Sequence, residues 1–475
     1  MAEAINFGSA QRSGLEAMAG AGVVSMNVYT DDLGCVRRRP GLVAADDLTS
    51  SVVDSGGIDG LFVTEDGETL AVAGGAKRWV YVVGESSARR LSTPLQGLGR
   101  PTFAQTEMLV VLAGGGNLLR YGRQDKTLAP LGGDPPKASH VVAANLRLLA
   151  NDVVVDRTKV RFSDISQGTL SYSGHEDWTA TNPVTAGAFT AEAKPDPVLA
   201  IGENTNEIFV WGTNSLQMFG PDPSFGFAPT GTREYGLGAA HSVIKADQHF
   251  FWLDQYRRFV MSDGRSMSDV SGDIAADLDT ISRVDDCFGY RVVTGNLDAV
   301  VWTFPTDGRT FAFQKGSGWA QWSGFSGNWT RFSVASSCYR PQDGVTLAGT
   351  TDGHVAQFDV SATSDLGEAI NAYTVTGYLD RGTDQRKWCR CVRLALRRGT
   401  VTGATGPQAW LAWRDRPGPW QGRVPVDLGR SNDTEIVVEV RSLGVYRRRQ
   451  WMFEFSGSEE LVLVRASEDF EVGDQ

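Results

Sequence analysis

The chain has 475 residues, 41% of them hydrophobic and 21% charged, proportions of a folded globular protein rather than a disordered one. Its 45 Lys+Arg against 56 Asp+Glu leave a formal charge of −11, which argues against nonspecific duplex binding through a basic footprint. No apolar run approaches about 18 residues, so no membrane span is expected, and the N-terminus does not read as a signal peptide. Cys35, Cys287, Cys338, Cys389 and Cys391 are too scattered for a disulfide framework, and a reducing cytosol is the expected folding compartment.

Residues 1–50 are turn-rich, with two β-like stretches. Residues 1–56 are expected to form an N-terminal arm that packs on a C-terminal domain. Beyond them the apolar period is two, as in 69–73, 78–83, 207–211 and 250–253, which predicts short strands. Helix candidates are few and short: 13–18 and 272–282. Asp-Gly pairs at 66–67, 263–264, 307–308 and 352–353 suit hairpins, because such turns need positive φ. The last three glycines lie 44 and 45 residues apart, near the period of about 40–50 for a four-stranded propeller blade. Units fall at 57–96, 97–133, 138–174, 194–231, 236–272, 285–324 and 329–360. The prediction is an all-β fold with a β-propeller over 57–360 of about seven blades, six or eight also fitting. The competing reading is a pair of ordinary sandwiches.

Residues 361–475 hold longer alternating runs at 388–396, 409–413, 435–441, 450–455 and 460–465. They predict an antiparallel β-sandwich, here called the platform. With 16 basic and 16 acidic residues it is neutral, so the whole −11 lies in residues 1–360.

The five histidines, His140, His175, His241, His249 and His354, show no metal-ligand spacing, and structural or surface roles are expected. Cys389 and Cys391 share one strand face without further ligands nearby, so they read as small core residues. Neither a phosphate loop, nor a dinucleotide fingerprint, nor a nucleophile elbow is present, and the glycines at 114–116 read as a hairpin turn. Thr306–Phe311 resembles a sialidase Asp box one residue short, but no carboxylate pair stands out for glycoside hydrolysis. Catalytic, cofactor and metal sites are therefore all expected to be absent. Trp410 and Trp413 suit the sandwich core. With Trp420 they could instead form a protein-contact patch. Arg37, Arg38 and Arg39, and Arg447, Arg448 and Arg449, read either as solvated loop charge or as a subunit interface pairing a neighbour's carboxylates.

Three stretches together resemble a known family. They are Met26-Asn-Val-Tyr29 with Arg39-Pro-Gly-Leu42; residues 189–219; and residues 236–264. The positions that carry the likeness are Asn27, Tyr29, Pro40, Gly41, Glu192, Asp196, Gly212, Ser215, Gly238, His241, Ser242 and Trp252. Their order resembles the tail-hub, or nozzle, proteins of short-tailed bacteriophages, also called packaged-DNA stabilisation proteins. The resemblance implies a virion tail protein without catalytic residues, folded in the host cytoplasm. It further implies a homo-hexamer below the portal and its adaptor ring. Such a ring extends the DNA channel, retains packaged DNA and carries fibres or a needle. Transiting double-stranded DNA would pass without sequence-specific binding, and acidic walls would keep it from sticking. The alternative class is a carbohydrate-binding or glycosidase-like propeller that engages a receptor.

Overall fold

The computed structural model describes residues 2–7, 25–45, 56–84, 88–165, 173–179, 185–191, 193–399, 408–430 and 433–473. Strand accounts for 54% of the described residues and helix for 3%, so the all-β expectation stands. The helix candidate at 13–18 lies outside the described residues. The one at 272–282 condenses to a 3-10 turn at Gly272–Ile274 running into Ala275–Leu278.

Alternating apolar residues fold into successive antiparallel sheets, each strand pairing the next. Six four-stranded blades cover residues 58–95, 102–130, 141–190, 198–233, 244–269 and 288–322. Buried strands such as Thr69–Ala73 and Leu109–Ala113 are apolar on both faces because each blade is covered by neighbours on both sides. Large aromatics fill the space between blades: Phe259 stacks on Trp302 at 4.1 Å, and Trp211 meets Trp252 edge-on at 5.8 Å.

The third blade is longer than its predicted unit. Its last strand, Gly187–Thr190, follows a long connection in which Trp178 is buried. The Asp-Gly turns also differ in detail from the tight hairpins expected. Gly67, Gly264, Gly308 and Gly353 take positive φ, but the aspartates do not. Asp263 instead accepts the backbone N–H groups of Arg265 and Ser266, each at 2.9 Å, which closes a longer loop.

The seventh blade needs a strand from the other end of the chain. Val334–Arg340, Val345–Thr350 and Val355–Asp359 supply three strands, and Gly41–Ala44 pairs with Val355–Asp359 as the fourth. The N-terminal arm is therefore not confined to the platform: Gly41–Ala44 closes the propeller ring. A Cβ on Gly41 would lie within 2.4 Å of the Ser364 carbonyl oxygen, so only glycine fits there. Gly41→Val should cost about 1–3 kcal/mol through overpacking. Gly272→Ala, with open space around it, should be near neutral. Urea titrations of both variants check this.

The rest of the arm joins the platform. One sheet runs in the order Val28–Thr30, Val36–Arg38, Leu461–Val472, Lys387–Arg398, Glu435–Arg441. Ala2–Ile5 also pairs with Leu461–Val472. The facing sheet runs Ala372–Val375, Gln450–Ser456, Gln408–Arg414, Gly422–Pro425. Val392, Leu394, Leu411, Trp451, Phe453 and Leu463 pack between them, which makes the platform a sandwich. Cys389 and Cys391 are free and buried, with a β-bulge between them. Met26 bridges Gln321 of the sixth blade and Tyr373 of the platform, tying the two bodies together.

Candidate functional site

The first strand of each blade lines the propeller axis, so seven inner strands surround a central cavity of about 540 Å³. Inner strands run the same way, as the parallel bridge between His241 and Phe288 shows. Residues at their beginnings therefore gather at one mouth: Asp59, Arg100, His140, His241, Phe288 and Ala335. Residues at or near their ends, among them Gln105 and Glu203, gather at the other.

At the first mouth His140 and His241, from the third and fifth blades, stack at 4.8 Å and 21°. His140 Nδ1 shares a 3.0 Å hydrogen bond with the Ser139 hydroxyl. Burial lowers the His140 imidazole to about 4, although the Ala240 carbonyl favours the charged form. Burial holds His241 well below its usual value too, helped by His140, Arg100 and Arg78. Both rings are thus neutral at pH 7. Arg78 donates to Asp59 at 2.6 Å, and Lys245 pairs with Glu203 at 3.2 Å. The cavity's two carboxylates are therefore already engaged by cations. Among the described residues no group of three or more His, Cys, Asp or Glu is placed to hold a metal ion.

The resemblance positions occupy turns and junctions rather than this cavity, His241 excepted. Asn27, at φ 55°, is fully buried. Its amide donates to the carbonyls of Ser323 and Asn371, each at 2.9 Å. Pro40 is buried and Tyr29 half-buried beside it in the arm. Asp196 accepts from the Asn214 N–H at 2.6 Å and the Ser215 hydroxyl at 3.2 Å. A Cβ on Gly212 would collide with that carboxylate, so Asp196, Gly212 and Ser215 form one compact turn. In the fifth blade the Ser242 hydroxyl donates to Ala239 O at 2.8 Å and accepts from Leu253 N–H at 3.1 Å. Gly238 N–H bonds Leu253 O at 2.9 Å, and Trp252 is fully buried. Glu192 lies outside the described residues.

Of the interface-candidate arginines, Arg37, Arg38, Arg39 and Arg449 bind groups of their own chain. Arg37 pairs with Asp31 and Glu460 of its own chain, at 2.7 and 2.5 Å. Arg38 is buried and donates to the carbonyls of Thr363, Ile370, Gly457 and Glu459. Arg39 grips Asp365 with both terminal nitrogens, and Arg449 grips Asp415 beneath Trp413, Tyr446 and Trp451. Each finds acceptors inside the chain, and Arg38, Arg39 and Arg449 are buried while Arg37 is part-exposed. Arg447 and Arg448 remain exposed.

Sequence reasoning missed the platform's outer face. Along Lys387–Arg398, Val392, Leu394 and Leu396 turn inward while Arg390, Arg393 and Arg397 turn outward. Trp388 is 58% exposed, Val437 69% and Val445 56% on the same sheet. Among the described residues Glu435–Arg441 pairs on one side only, which leaves the backbone N–H and C=O groups of its other edge unpaired there. Trp410 and Trp413 are only part-buried, and Arg423 covers Trp410 at 4.2 Å.

No family model matches the chain, and no curated protein matches it. Solved structures similar to it include the extracellular domain of a hybrid two-component system from B. thetaiotaomicron. Identity there is 9% and the TM-score 0.43, over 73% of this chain and 43% of that one. The N-terminal domain of Nup159 gives 8% and 0.41 over 71% and 100%, and the Neurospora crassa Pan2 WD40 domain 7% and 0.40 over 67% and 97%. Likeness at this level says nothing about partners or chemistry. No helix among the described residues is long and apolar enough to cross a membrane.

Proposed function

We propose that this chain is a structural tail-hub protein of a short-tailed bacteriophage, without catalytic activity, acting in the virion as a ring of six copies. The observation that carries this reading is the platform's outer sheet. It combines exposed Trp388, Val437 and Val445 with an edge strand, Glu435–Arg441, that is unpaired on one side among the described residues and contains neither proline nor glycine. Monomeric proteins protect such edges, and Trp388 with Val445 opposite it forms an exposed apolar pair on this sheet, with Val437 further along opposite Ala395. Support also comes from the resemblance positions, which serve the chain's own turns and its arm–platform junction. The cavity of about 540 Å³ is too small for a duplex whose major groove alone is about 12 Å wide. The DNA conduit in this reading therefore lies between copies, walled by the acidic propeller half. The adaptor ring, the fibres or needle and the passing DNA are its partners.

Immunogold labelling of purified particles should place this chain at the tail below the portal. Trp388→Asp with Val437→Asp should leave the monomer folded and yield particles lacking complete tails. Label at fibre tips, soluble carbohydrate binding by a monomer, or complete tails from the double variant would each defeat the proposal.

A further inference from the structure

We propose that the first mouth of the propeller's central cavity is a binding site for a small oxyanion, a carboxylate or phosphate group seated against Arg100. The site does not depend on the tail-hub role.

Arg100 stands just before the inner strand of the second blade and reaches across the mouth. Its guanidinium carbon sits over the Phe288 ring of the sixth blade, 3.6 Å from the centroid. Nη2 donates to the carbonyl oxygens of Asp59 and Ala335, which fixes the plane. Nε and Nη1 have no acceptor among the described residues, and the group borders the cavity. No carboxylate among the described residues lies within ion-pair distance of it. The nearest candidate, Asp59, is already bound to Arg78 at 2.6 Å. A second guanidinium, Arg331, sits 5.9 Å from the same Phe288 ring, and its Nε is buried without a partner.

Three guanidinium groups thus lie within electrostatic reach of two carboxylates: Arg78 pairs with Asp59, whose charge Arg100 also feels, and Arg331 feels Asp286. Each carboxylate is held through one oxygen only: Asp59 Oδ2 by Arg78, and Asp286 Oδ2 by the Thr306 N–H and hydroxyl at 2.9 and 2.6 Å, while the Oδ1 atoms of both are buried without a partner. A cation held out of water costs free energy unless it is paired and hydrogen-bonded. Removal from water lowers Arg100 to about 10, so it stays charged at pH 7. A guanidinium with free N–H groups in a fixed fork is suited to a planar carboxylate or a phosphate. The neutral His241 ring beside it senses the same charge, because Arg100 and Arg78 both oppose its protonation. An anion placed against Arg100 removes part of that opposition and raises the His241 pKa.

The test uses the full chain with citrate and, separately, inorganic phosphate, each against sodium chloride at equal ionic strength. The expected result is a saturable rise in thermal midpoint with at least one anion. The affinity should fall roughly tenfold or more in Arg100→Gln, as expected for loss of charged hydrogen bonds. Arg283→Gln, at an exposed surface pair, should bind as the parent does. A response to citrate alone identifies a carboxylate ligand, and one to phosphate alone a phosphate ligand. Should Arg100→Gln fail to fold, the His241 C2 proton of the parent chain decides, since its titration should move to higher pH with the anion. No response beyond chloride, an unchanged response in Arg100→Gln, or an unmoved His241 titration overturns the site.

Discussion

Arg39→Met should cost about 3–5 kcal/mol of folding free energy, the range for breaking one side of a buried ion pair. The side chain is 1% exposed and uses all five of its donors. Nε donates to Asn27 Oδ1 at 3.0 Å. Nη1 donates to Asp365 and to Pro40 O, and Nη2 to Asp365 and to Ser323 O. The guanidinium also lies 4.3 Å from the Phe332 ring. One residue therefore joins the arm, the end of the sixth blade and the hairpin that follows the seventh. Methionine fills the space but leaves the Asp365 carboxylate without its donors, while Asn27 Oδ1 keeps only the Ser323 N–H at 2.8 Å. Replacing both members should hurt less than replacing one, so Arg39→Met with Asp365→Asn should recover part of the loss. Urea unfolding of the parent, single and double variants measures this. A single-variant loss below about 1 kcal/mol would show that the pair carries little.

That arginine illustrates where the sequence was readable and where it was not. The six complete blades and the platform strands announce themselves through local alternation, because a strand with a buried face must repeat every second residue. Strand Gly41–Ala44 carries no such announcement. Its partner, Val355–Asp359, is some three hundred residues away, and four residues are too few to show a period. Strand Leu461–Val472 outruns its predicted end at 465 because Glu468 faces inward, where Arg381 binds it at 2.9 Å. A glutamate in a core position breaks the apolar pattern that would have extended the strand. The arginine runs are opaque for the same reason: a cluster of like charges reads as solvated loop or as interface until its acceptors are known. Those acceptors are mostly backbone carbonyls and distant carboxylates, which no local pattern reveals. The cavity mouth was equally hidden. His140 and His241 are a hundred residues apart, and only the ring of blades brings them together.

The same histidines predict that the fold is acid-labile well above the carboxylate range. His140 titrates near 4 in the folded chain because burial disfavours its cation, whereas an exposed histidine titrates near 6.5. Between those values the unfolded chain binds the proton and the folded chain does not. Stability therefore rises with pH through this window and is lost as pH falls from 6.5 toward 4. His140 alone accounts for about 3 kcal/mol across the interval. His241 and His175 are also lowered by burial, so both add to the slope in the same direction. The charges around the pair reinforce it, since Arg78 and Arg100 oppose a third cation and Asp59 is already bound to Arg78. Urea titrations at pH 7.5, 6 and 5 should show a steady decline, and His140→Gln should flatten it. Measuring above pH 5 keeps the carboxylates, whose own losses begin lower, out of the slope. Equal stability at pH 7.5 and 5 would mean that the imidazoles are charged or solvated in the folded chain. An anion at Arg100 would ease protonation of His241, so saturating citrate or phosphate should shallow the same decline.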